Sequence, residues 1–247
     1  MLEEKKWQNI PGALQADIFP VLRKPDVICS NAYIIRTPQM IVIIDPGSLP
    51  EQMALLKEAL TEDLNQLIRP VYIIFTHCHV DHCYQALIVN ELSKLTRVYF
   101  AAQENGAAAL RNRDLRRTAA DFHRKELPGT EIDIELLSNE DKLHCGEKEL
   151  ILAGGDRLHI LTDLYPLKEG RVFPRQRIPI SEKDVMEVFH TPGHSADSIC
   201  LIIGEVLFLG DLAFAGNSGI AGLSGWNQKD LVYTLEGLID LVNKRRF

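Results

Sequence analysis

Three histidines and one aspartate lie within six positions, directly after the short apolar run 72–75. The run is rich in β-branched and aromatic residues, which predicts a buried strand. His77 and His79 are two positions apart, so on an extended segment their rings point to the same side. Asp81 and His82 follow as the chain turns into a segment with helical character. Imidazole and carboxylate groups at this spacing predict two adjacent metal ions rather than one.

The stretch Thr-His-Cys-His-Val-Asp-His at residues 76–82 resembles the HxHxDH signature of the metallo-β-lactamase superfamily. Two further pieces follow in the family's chain order, Thr-Pro-Gly-His-Ser at residues 191–195 and Gly-Asp at residues 210–211. Upstream, residues 31–35 and the segment 41–47, which ends in Asp-Pro-Gly, are similar to the family's opening hairpin and turn. Four pieces in the family's order make the resemblance specific, and it extends over most of the chain.

The resemblance implies an α/β fold, a four-layer αββα sandwich of the metallo-β-lactamase type. One domain over residues 1–247 is expected, with an inserted or specificity segment around residues 103–180. The resemblance implies that His77, His79 and His194 bind one ion, that Asp81 and His82 bind the other, and that Asp211 bridges both. The expected metal ligands are therefore His77, His79, Asp81, His82, His194 and Asp211.

The activity that follows from this ligand set is metal-dependent hydrolysis. A water held between two ions loses a proton near neutral pH and attacks the substrate. Asp81 and Asp211 are the expected catalytic residues, with Asp81 orienting the nucleophile or accepting its proton. Zinc, one or two ions, suits the nitrogen-rich first site, and iron or manganese is the alternative because the second site adds carboxylates.

A small acyl ester or thioester is the first choice of substrate among the classes that the resemblance implies, and a small-molecule, anionic substrate is the expected partner. Phosphodiester or nuclease action is an alternative, and so is a non-catalytic metal-binding domain. Another is an iron-dependent redox enzyme, such as a persulfide dioxygenase. The diiron module of a flavodiiron protein fits less well, because that module favours Glu where this chain has His79.

The amino-acid composition narrows the classes of function that the protein can have. The 247 residues are 46% hydrophobic, enough for a sizeable core, and the formal net charge of −7 argues against general nucleic-acid binding. No GxSxG or GxGxxG motif supports a serine hydrolase or a dinucleotide site. No apolar signal region or membrane-length apolar run is present, so a cytoplasmic protein with no membrane partner is expected. The oligomeric state is left open.

The five cysteines are scattered and include no CxxC pair, so neither a disulfide framework nor a zinc ribbon is predicted. We expect all five to be small buried hydrophobes, with Cys83 the strongest candidate for an exception because it adjoins the ligand cluster. Cys78 alternates with His77 and His79 and is expected to face away from them. The five are Cys29, Cys78, Cys83, Cys145 and Cys200.

The elements that must position the first cluster are a pair of strands, 27–36 and 40–45, and an amphipathic helix over 49–68. Strand 72–76 follows, then a helix to about Leu95 and a strand at 97–101. This alternation predicts layered α/β architecture. Asp45, at the end of the second strand, has two interpretations: it orients a ligand histidine, or it caps the following turn.

The middle of the chain predicts a strongly basic helix over 103–125, with arginines at 111, 113, 116, 117 and 124. Two interpretations stay open, a solvated face or a basic cap over the metal cleft that binds an anionic substrate. Strands are predicted at 131–137, 149–152 and 158–161, and an irregular segment at 165–179. His123, His144 and His159 lie far from any signature and are predicted not to be ligands.

The last third of the sequence predicts a second set of strands, whose ends carry further candidate ligands. Strand 185–190 leads into the Pro-Gly turn before His194, and strands 198–204 and 205–210 deliver Asp211. A glycine-rich loop follows at 215–226, in which Trp226 either lines the pocket or belongs to the core. An amphipathic helix is predicted over 229–244.

Family members with two metals usually supply one more histidine after a final helix and strand, and this sequence stops where that strand should begin. The expectation is a fragment of a longer protein, with a site one ligand short as the alternative. In either case the first site is expected to be robust and the second partly occupied.

Overall fold

Two β-sheets face each other in the computed structural model, which describes residues 2–23, 28–89, 91–212 and 223–245. The first sheet has seven strands in spatial order β1 to β7, antiparallel from β1 to β4 and parallel from β4 to β7. Its strands are β1 Gln8–Asn9, β2 Asp17–Val21, β3 Ala32–Arg36, β4 Ile41–Ile44, β5 Val71–Ile74, β6 Val98–Gln103 and β7 Ile134–Leu136.

The second sheet has six antiparallel strands in the spatial order β13-β12-β11-β10-β9-β8. Its strands are β8 Gly146–Ile151, β9 Arg157–Pro166, β10 Val172–Pro179, β11 Val185–His190, β12 Ile199–Ile203 and β13 Val206–Phe208. The α-helices are α1 Pro50–Leu64, α2 Val80–Ile88, α3 Glu104–Arg111, α4 Ala120–His123, α5 Asn139–Leu143 and α6 Gln228–Arg245.

Strands that are apolar on both faces explain the layers. In β4, Val42 and Ile44 point into the core between the sheets, while Ile41 and Ile43 pack against α1 to α3. In β12, alternate residues likewise enter the core between the sheets or a third core under α6. A sheet buried on both faces must carry a layer on each side. The predicted four-layer αββα sandwich is therefore confirmed.

The two sheets meet at the edge where the predicted metal ligands lie. The parallel strands β4 and β5 end side by side, which places Asp45 and His77 at one edge of the first sheet. The backbone N–H of Ile199 in the second sheet donates to the carbonyl of Thr76 at 2.8 Å. This hydrogen bond fixes the two sheets to each other directly beside the ligand cluster.

The predicted basic helix over 103–125 is wrong in extent. Helix α3 ends at Arg111, and α4 has only four residues. The Asp114 carboxylate accepts the backbone N–H groups of Arg116 and Arg117, which closes a local turn and competes with helix continuation. Left-handed backbone at Arg113 and Ala119 completes the break.

The predicted irregular segment at 165–179 is also wrong, because β9 and β10 form a long hairpin joined by a short 3-10 helix, Lys168–Gly170. Pro174 lies one residue before β10 begins to pair with β11, where a missing N–H costs little. Arg175 and Arg177 both pair with Asp163 across the hairpin. The charged residues that suggested a loop are therefore paired across strands.

Smaller differences concern helix ends and one cysteine. The helix expected over 49–68 ends at Leu64, and the helix expected to reach Leu95 ends at Ile88, followed by a 3-10 turn at Leu92–Lys94. Cys145 is exposed, whereas the other four cysteines are buried as predicted. The start of the strand expected at 27–36 and residues 215–222 of the glycine-rich loop lie outside the described residues. Within the described ranges, no helix has the length and apolar character to cross a membrane.

Candidate metal centre

The first ligand cluster is built where β5 leaves the first sheet. His77 follows β5, and His79 is the N-cap residue of α2 with extended backbone. His194 comes from the second sheet, on the turn between β11 and β12. Gly193 makes this turn possible: it has φ +147°, and a Cβ there would lie 2.4 Å from the Leu231 Cα of α6. Close packing of α6 on this turn therefore holds His194 against the first sheet.

Three ring nitrogens converge at one point. The Nδ1 atom of His79 lies 3.0 Å from the Nε2 atom of His77 and 3.0 Å from the Nε2 atom of His194. All three side chains are at most 2% exposed. Nitrogen ligands about 2.0–2.1 Å from a tetrahedral zinc ion lie about 3.3 Å apart. The three rings thus fit a single ion with little adjustment.

The electrostatics of these rings suit a cation. Burial lowers the pKa of His77 and His79 well below the ordinary value, and the surrounding imidazoles lower it further. Burial also lowers the pKa of His194 to about 4. All three rings are therefore neutral near pH 7, which is the form that binds metals. In the described part of the chain, His79 Nε2 and His194 Nδ1 are buried without hydrogen-bond partners.

A second cluster adjoins the first and mixes nitrogen with oxygen. The Nε2 atom of His82 lies 3.1 Å from Asp211 Oδ1 and 3.6 Å from Asp81 Oδ2. The other Asp211 oxygen lies 3.8 Å from the Nε2 atom of His194. Asp211 thus faces both clusters, and His77, His82 and Asp211 also form a group with metal-ligand spacing. All six predicted ligands are brought together, and their binding of metal stays a prediction.

Asp45 resolves the two interpretations of the sequence in favour of orienting a histidine. Its Oδ2 atom lies 2.9 Å from His82 Nδ1, and its two oxygens accept the backbone N–H and the hydroxyl of Thr76 at 2.8 and 2.6 Å. A carboxylate on Nδ1 leaves Nε2 of the same ring to face the cluster. Asp45 therefore sets the direction in which His82 can bind.

The charges of the second cluster depend strongly on one another. Burial alone lowers the pKa of His82, but the carboxylates of Asp211, Asp45 and Asp81 outweigh it and hold the pKa well above the ordinary value. Burial alone raises the pKa of Asp211, but His82 and His194 hold it well below the ordinary value. Burial raises the pKa of Asp81 to about 6. A bound cation would take the place of the proton on His82 and favour ionised Asp81.

Two residues that the structure places beside the candidate centre were missed by the sequence analysis. Asp197 is buried and accepts the Cys78 backbone N–H at 2.7 Å, which ties the turn after His194 to the loop that carries His77 and His79. A Cβ at Gly106 would lie 2.3 Å from Asp197 Oδ2, so this packing needs a glycine. The signal that points to Asp197 is its place three residues after His194, a predicted ligand.

His123 is the other missed residue. Its Nε2 atom lies 4.0 Å from Asp81 Oδ1, so it lies beside the candidate centre, and that it is not a metal ligand stays a prediction. His144 and His159 are exposed, as expected for histidines outside the site. Cys83 is buried with its thiol 3.5 Å from the Cys78 carbonyl and is not part of either ligand group. No local sequence motif identifies His123, because only tertiary packing brings it close to Asp81.

Several solved structures are similar to the chain. The chain is similar to a metallo-beta-lactamase from Pontibacter korlensis, at 17% identity over 97% of this chain and 85% of that chain, with a TM-score of 0.50. It is similar to an archaeal metallo-beta-lactamase superfamily protein from Sulfolobus tokodaii, at 16% identity over 91% and 75% of the two chains, with a TM-score of 0.49. A flavodiiron core from Synechocystis matches at 15% identity over 83% of this chain and 42% of its own length, with a TM-score of 0.43.

No curated protein sequence matches the chain. The model of the metallo-beta-lactamase superfamily matches residues 27–247, which is most of the sequence and includes every ligand candidate. The four layers, the order of the motifs and the two converging clusters agree with that match. The chain therefore belongs to the metallo-β-lactamase superfamily.

Proposed function

We propose that the protein is a metal-dependent hydrolase that cleaves a small, anionic acyl ester or thioester. The observation that carries the proposal is the convergence of three neutral, buried ring nitrogens beside a carboxylate, Asp211, that faces a second ligand group. Such an arrangement has no counterpart in ordinary core packing, where buried polar atoms find hydrogen-bond partners. It matches the donor set for two adjacent divalent cations.

His77, His79 and His194 would hold one ion, and Asp81 and His82 the other. When bound, zinc at these positions supplies Lewis acidity and lowers the pKa of a water to near neutrality. The Asp211 carboxylate, with one oxygen toward each cluster, fixes the spacing between the two positions. Asp45 holds the His82 ring so that only Nε2 faces inward.

Asp81 is placed to handle the proton. It lies in the first turn of α2, with Oδ2 directed toward His82 and Oδ1 toward His123. A carboxylate at this position orients the attacking water by accepting its proton at one oxygen. The low exposure of Asp81 keeps bulk water away and strengthens this interaction.

Charge beside the cluster supports an anionic substrate. The ammonium group of Lys125 lies over the Tyr84 ring of α2, 4.7 Å from the centroid, which holds it next to the helix that carries Asp81 and His82. The exposed guanidinium of Arg117 pairs with Asp114 at 3.6 Å, so it is not counted as a free charge. The Lys125 ammonium beside a buried centre suits a small acid better than a long polyanion.

The test combines metal analysis with turnover. Protein purified without added metal is analysed for zinc, iron and manganese per chain, and is then assayed after zinc loading on thioesters, carboxylic esters, lactones and phosphodiesters. We expect zinc, and turnover of acyl substrates that the His194→Ala variant lacks. Iron as the main metal with no acyl turnover would overturn the proposal in favour of redox chemistry. Turnover confined to phosphodiesters would overturn the substrate class.

A further inference from the structure

The arginines of this protein differ in whether they have charged partners, and the difference depends on their place in the chain. Nine arginines in other parts of the described chain each have a guanidinium nitrogen 2.5–3.1 Å from a carboxylate oxygen. Among the described residues, Arg113, Arg116 and Arg124 have no ion pair, and all three are exposed. The arginines without a charged partner are therefore concentrated within twelve positions.

Residues 113–126, which we call the basic segment, lie between β6 and β7 and are folded on themselves. The backbone N–H of Lys125, for example, donates to the Ala120 carbonyl at 2.9 Å. The basic segment carries five cationic and three acidic residues, whereas the whole chain has a formal net charge of −7. One of the acids, Asp114, is already paired with Arg117 at 3.6 Å. The segment is thus a compact surface with an excess of positive charge on an acidic protein.

The basic segment lies against the candidate metal centre. The backbone N–H of Val80, which lies between two predicted ligands, donates to the Thr118 carbonyl at 2.9 Å. The His123 ring lies beside Asp81, with Nε2 at 4.0 Å from Oδ1. The Phe122 ring, which is 60% exposed, contacts the His123 ring edge-on, with 5.1 Å between the centroids. Side-chain contacts therefore connect the metal centre with the exposed surface of the basic segment.

We propose that Arg113, Arg116 and Arg124 bind a phosphate group on the part of the substrate that extends out of the metal centre. The proposal rests on the proposed function and narrows its substrate class to acyl esters or thioesters that also carry phosphate. The bond to be cleaved lies at the metal centre, and the phosphate group lies on the basic segment. The three arginines are positioning residues that set the affinity for the substrate and touch none of the reacting atoms.

The chemistry of the guanidinium group favours phosphate as the ligand. Its planar array of N–H donors fits two oxygens of one phosphate group at a time. A phosphate monoester has a charge of about −1.5 to −2 at pH 7 and three acceptor oxygens, so it can accept from more than one arginine. A carboxylate has one charge and two oxygens, which is less than three arginines can use. Phosphate therefore matches the donors of the basic segment better than a second carboxylate does.

The extent of the basic segment favours a small molecule over a nucleic acid or a membrane. Nucleic-acid binding depends on contacts with many successive phosphates, and a long polyanion would extend beyond this segment onto an acidic protein. A helix that binds in a membrane interface buries an apolar face, whereas the large apolar side chains exposed on the basic segment are Leu115 and Phe122. The charge and the apolar area of the segment are both of the size that one small substrate needs.

The first experiment measures phosphate binding without turnover. ADP is titrated calorimetrically into zinc-loaded wild-type protein and into the variant Arg113→Gln/Arg116→Gln/Arg124→Gln. The matched control is Lys94→Gln/Lys183→Gln/Lys229→Gln, which removes as many positive charges from exposed lysines outside the basic segment. We expect the affinity for ADP to fall more than about tenfold in the arginine variant, because charge-assisted hydrogen bonds are lost, and to stay near the wild-type value in the control.

The second experiment compares two thioesters that differ by one phosphate group, S-acetylpantetheine and its phosphate ester. In wild-type protein we expect kcat/KM for the phosphate ester to be more than about tenfold higher, through a lower KM, because the arginines bind substrate and transition state alike. The ratio of the two kcat/KM values should fall toward one in the arginine variant. It should keep its wild-type value in the lysine control.

The outcomes separate this proposal from the proposed function. Equal affinity for ADP in wild-type protein and the arginine variant, as expected if ADP binds to the zinc ions instead, would overturn the phosphate site while acyl turnover still supports the hydrolase. Equal kcat/KM for the two thioesters in wild-type protein would do the same. A protein that binds ADP through the arginines but cleaves no acyl substrate would overturn the hydrolase alone. Binding to vesicles of anionic phospholipid without binding of ADP would overturn the phosphate site in favour of a membrane surface.

Discussion

Two regions of this molecule are rich in polar side chains. They differ in whether these side chains have oppositely charged partners. On the outer face of the second sheet, Arg175 donates to both oxygens of Asp163 at 2.7 and 2.8 Å and to Glu187 at 2.7 Å, and Arg245 also donates to Glu187. We call these four residues the arginine network. In the candidate metal centre, three neutral nitrogens instead converge, with His79 Nδ1 at 3.0 Å from each of the other two.

The difference separates a structural role from a binding role. In the arginine network every charge has an opposite charge, so the folded chain alone accounts for the arrangement. In the metal centre, ring nitrogens face other ring nitrogens rather than an opposite charge, and two further ring nitrogens are buried without partners among the described residues. Unpaired buried polar atoms cost free energy. A cation would be bound by the three converging nitrogens and not by these two, so metal should stabilise the centre through the converging nitrogens and have no effect on the network.

The largest effect that this comparison predicts is on metal binding. His194→Ala removes one of the three converging nitrogens, and we expect metal affinity at the first site to fall by more than about 100-fold, since even residues that only orient ligands are worth 10–100-fold. Elemental analysis after dialysis measures the loss. His159→Ala, which removes an exposed histidine on β9, is the matched control and should keep the wild-type metal content.

The same variant tests the coupling between metal and stability. At a free zinc concentration 100 times the dissociation constant, binding stabilises the fold by about 2.7 kcal/mol. A chelator should therefore lower the Tm of wild-type protein by several degrees and leave that of His194→Ala unchanged. Equal chelator effects on both proteins would show that metal does not reside at the three histidines.

The next effect concerns the residue that orients His82. Asp45→Asn keeps the size of the side chain but removes the charge that accepts from Nδ1 of His82, and an amide can present its NH₂ group to that nitrogen. We expect the affinity for the second ion to fall about 10–100-fold while the first is little changed. Cobalt titration resolves the two sites. A loss at the first site alone would contradict the assignment of His82 to the second.

Glu187→Gln makes the corresponding change in the arginine network. It removes the charged partner that Arg245 has among the described residues and one of the two that Arg175 has, and should cost about 1–3 kcal/mol of unfolding free energy. Urea unfolding measures the change, and metal content should stay at the wild-type level. Glu149→Gln on β8 is the matched control, because the pair of Glu149 with the exposed Arg157 should contribute about 0–1 kcal/mol. A loss of metal in Glu187→Gln would break the distinction between the two regions.

The sequence alone was sufficient to predict the features that depend on residues close together in the chain. The cluster at 77–82 follows a strand within a few positions, and the turn before His194 carries its own Pro and Gly, so short-range pattern predicts both. The hairpin of β9 and β10 was missed because its arginines are stabilised by Asp163 across the sheet. His123 was missed because more than forty positions separate it from Asp81, and only the packing of α4 brings them together. Pairing that depends on tertiary packing leaves no local periodicity to detect.

The smallest predicted effect concerns His190, a histidine beside the metal centre. Its ring has a hydrogen-bond partner, as the side chains of the arginine network do. His190 donates through Nε2 to the Ala196 carbonyl at 3.0 Å, and burial lowers its pKa to about 4. In the unfolded chain its pKa is about 6.5. The unfolded state therefore binds the proton first as pH falls, so the stability that this group contributes is complete above about pH 6.5 and is lost as the pH falls toward 4.

We expect His190 to lower the free energy of unfolding by about 1 kcal/mol as the pH falls from 6.5 to 5.5. Replacing it by Asn, which keeps a side-chain N–H donor but does not titrate, should remove that share of the pH dependence. Urea unfolding of metal-free wild-type protein and His190→Asn at both pH values measures it. The cluster histidines, with lowered pKa values of their own, destabilise both proteins alike, so the difference isolates His190. An identical pH dependence in the two proteins would mean that the His190 ring has the same pKa in the folded and unfolded states. The hydrogen bond to the Ala196 carbonyl would then compensate fully for the burial of the ring.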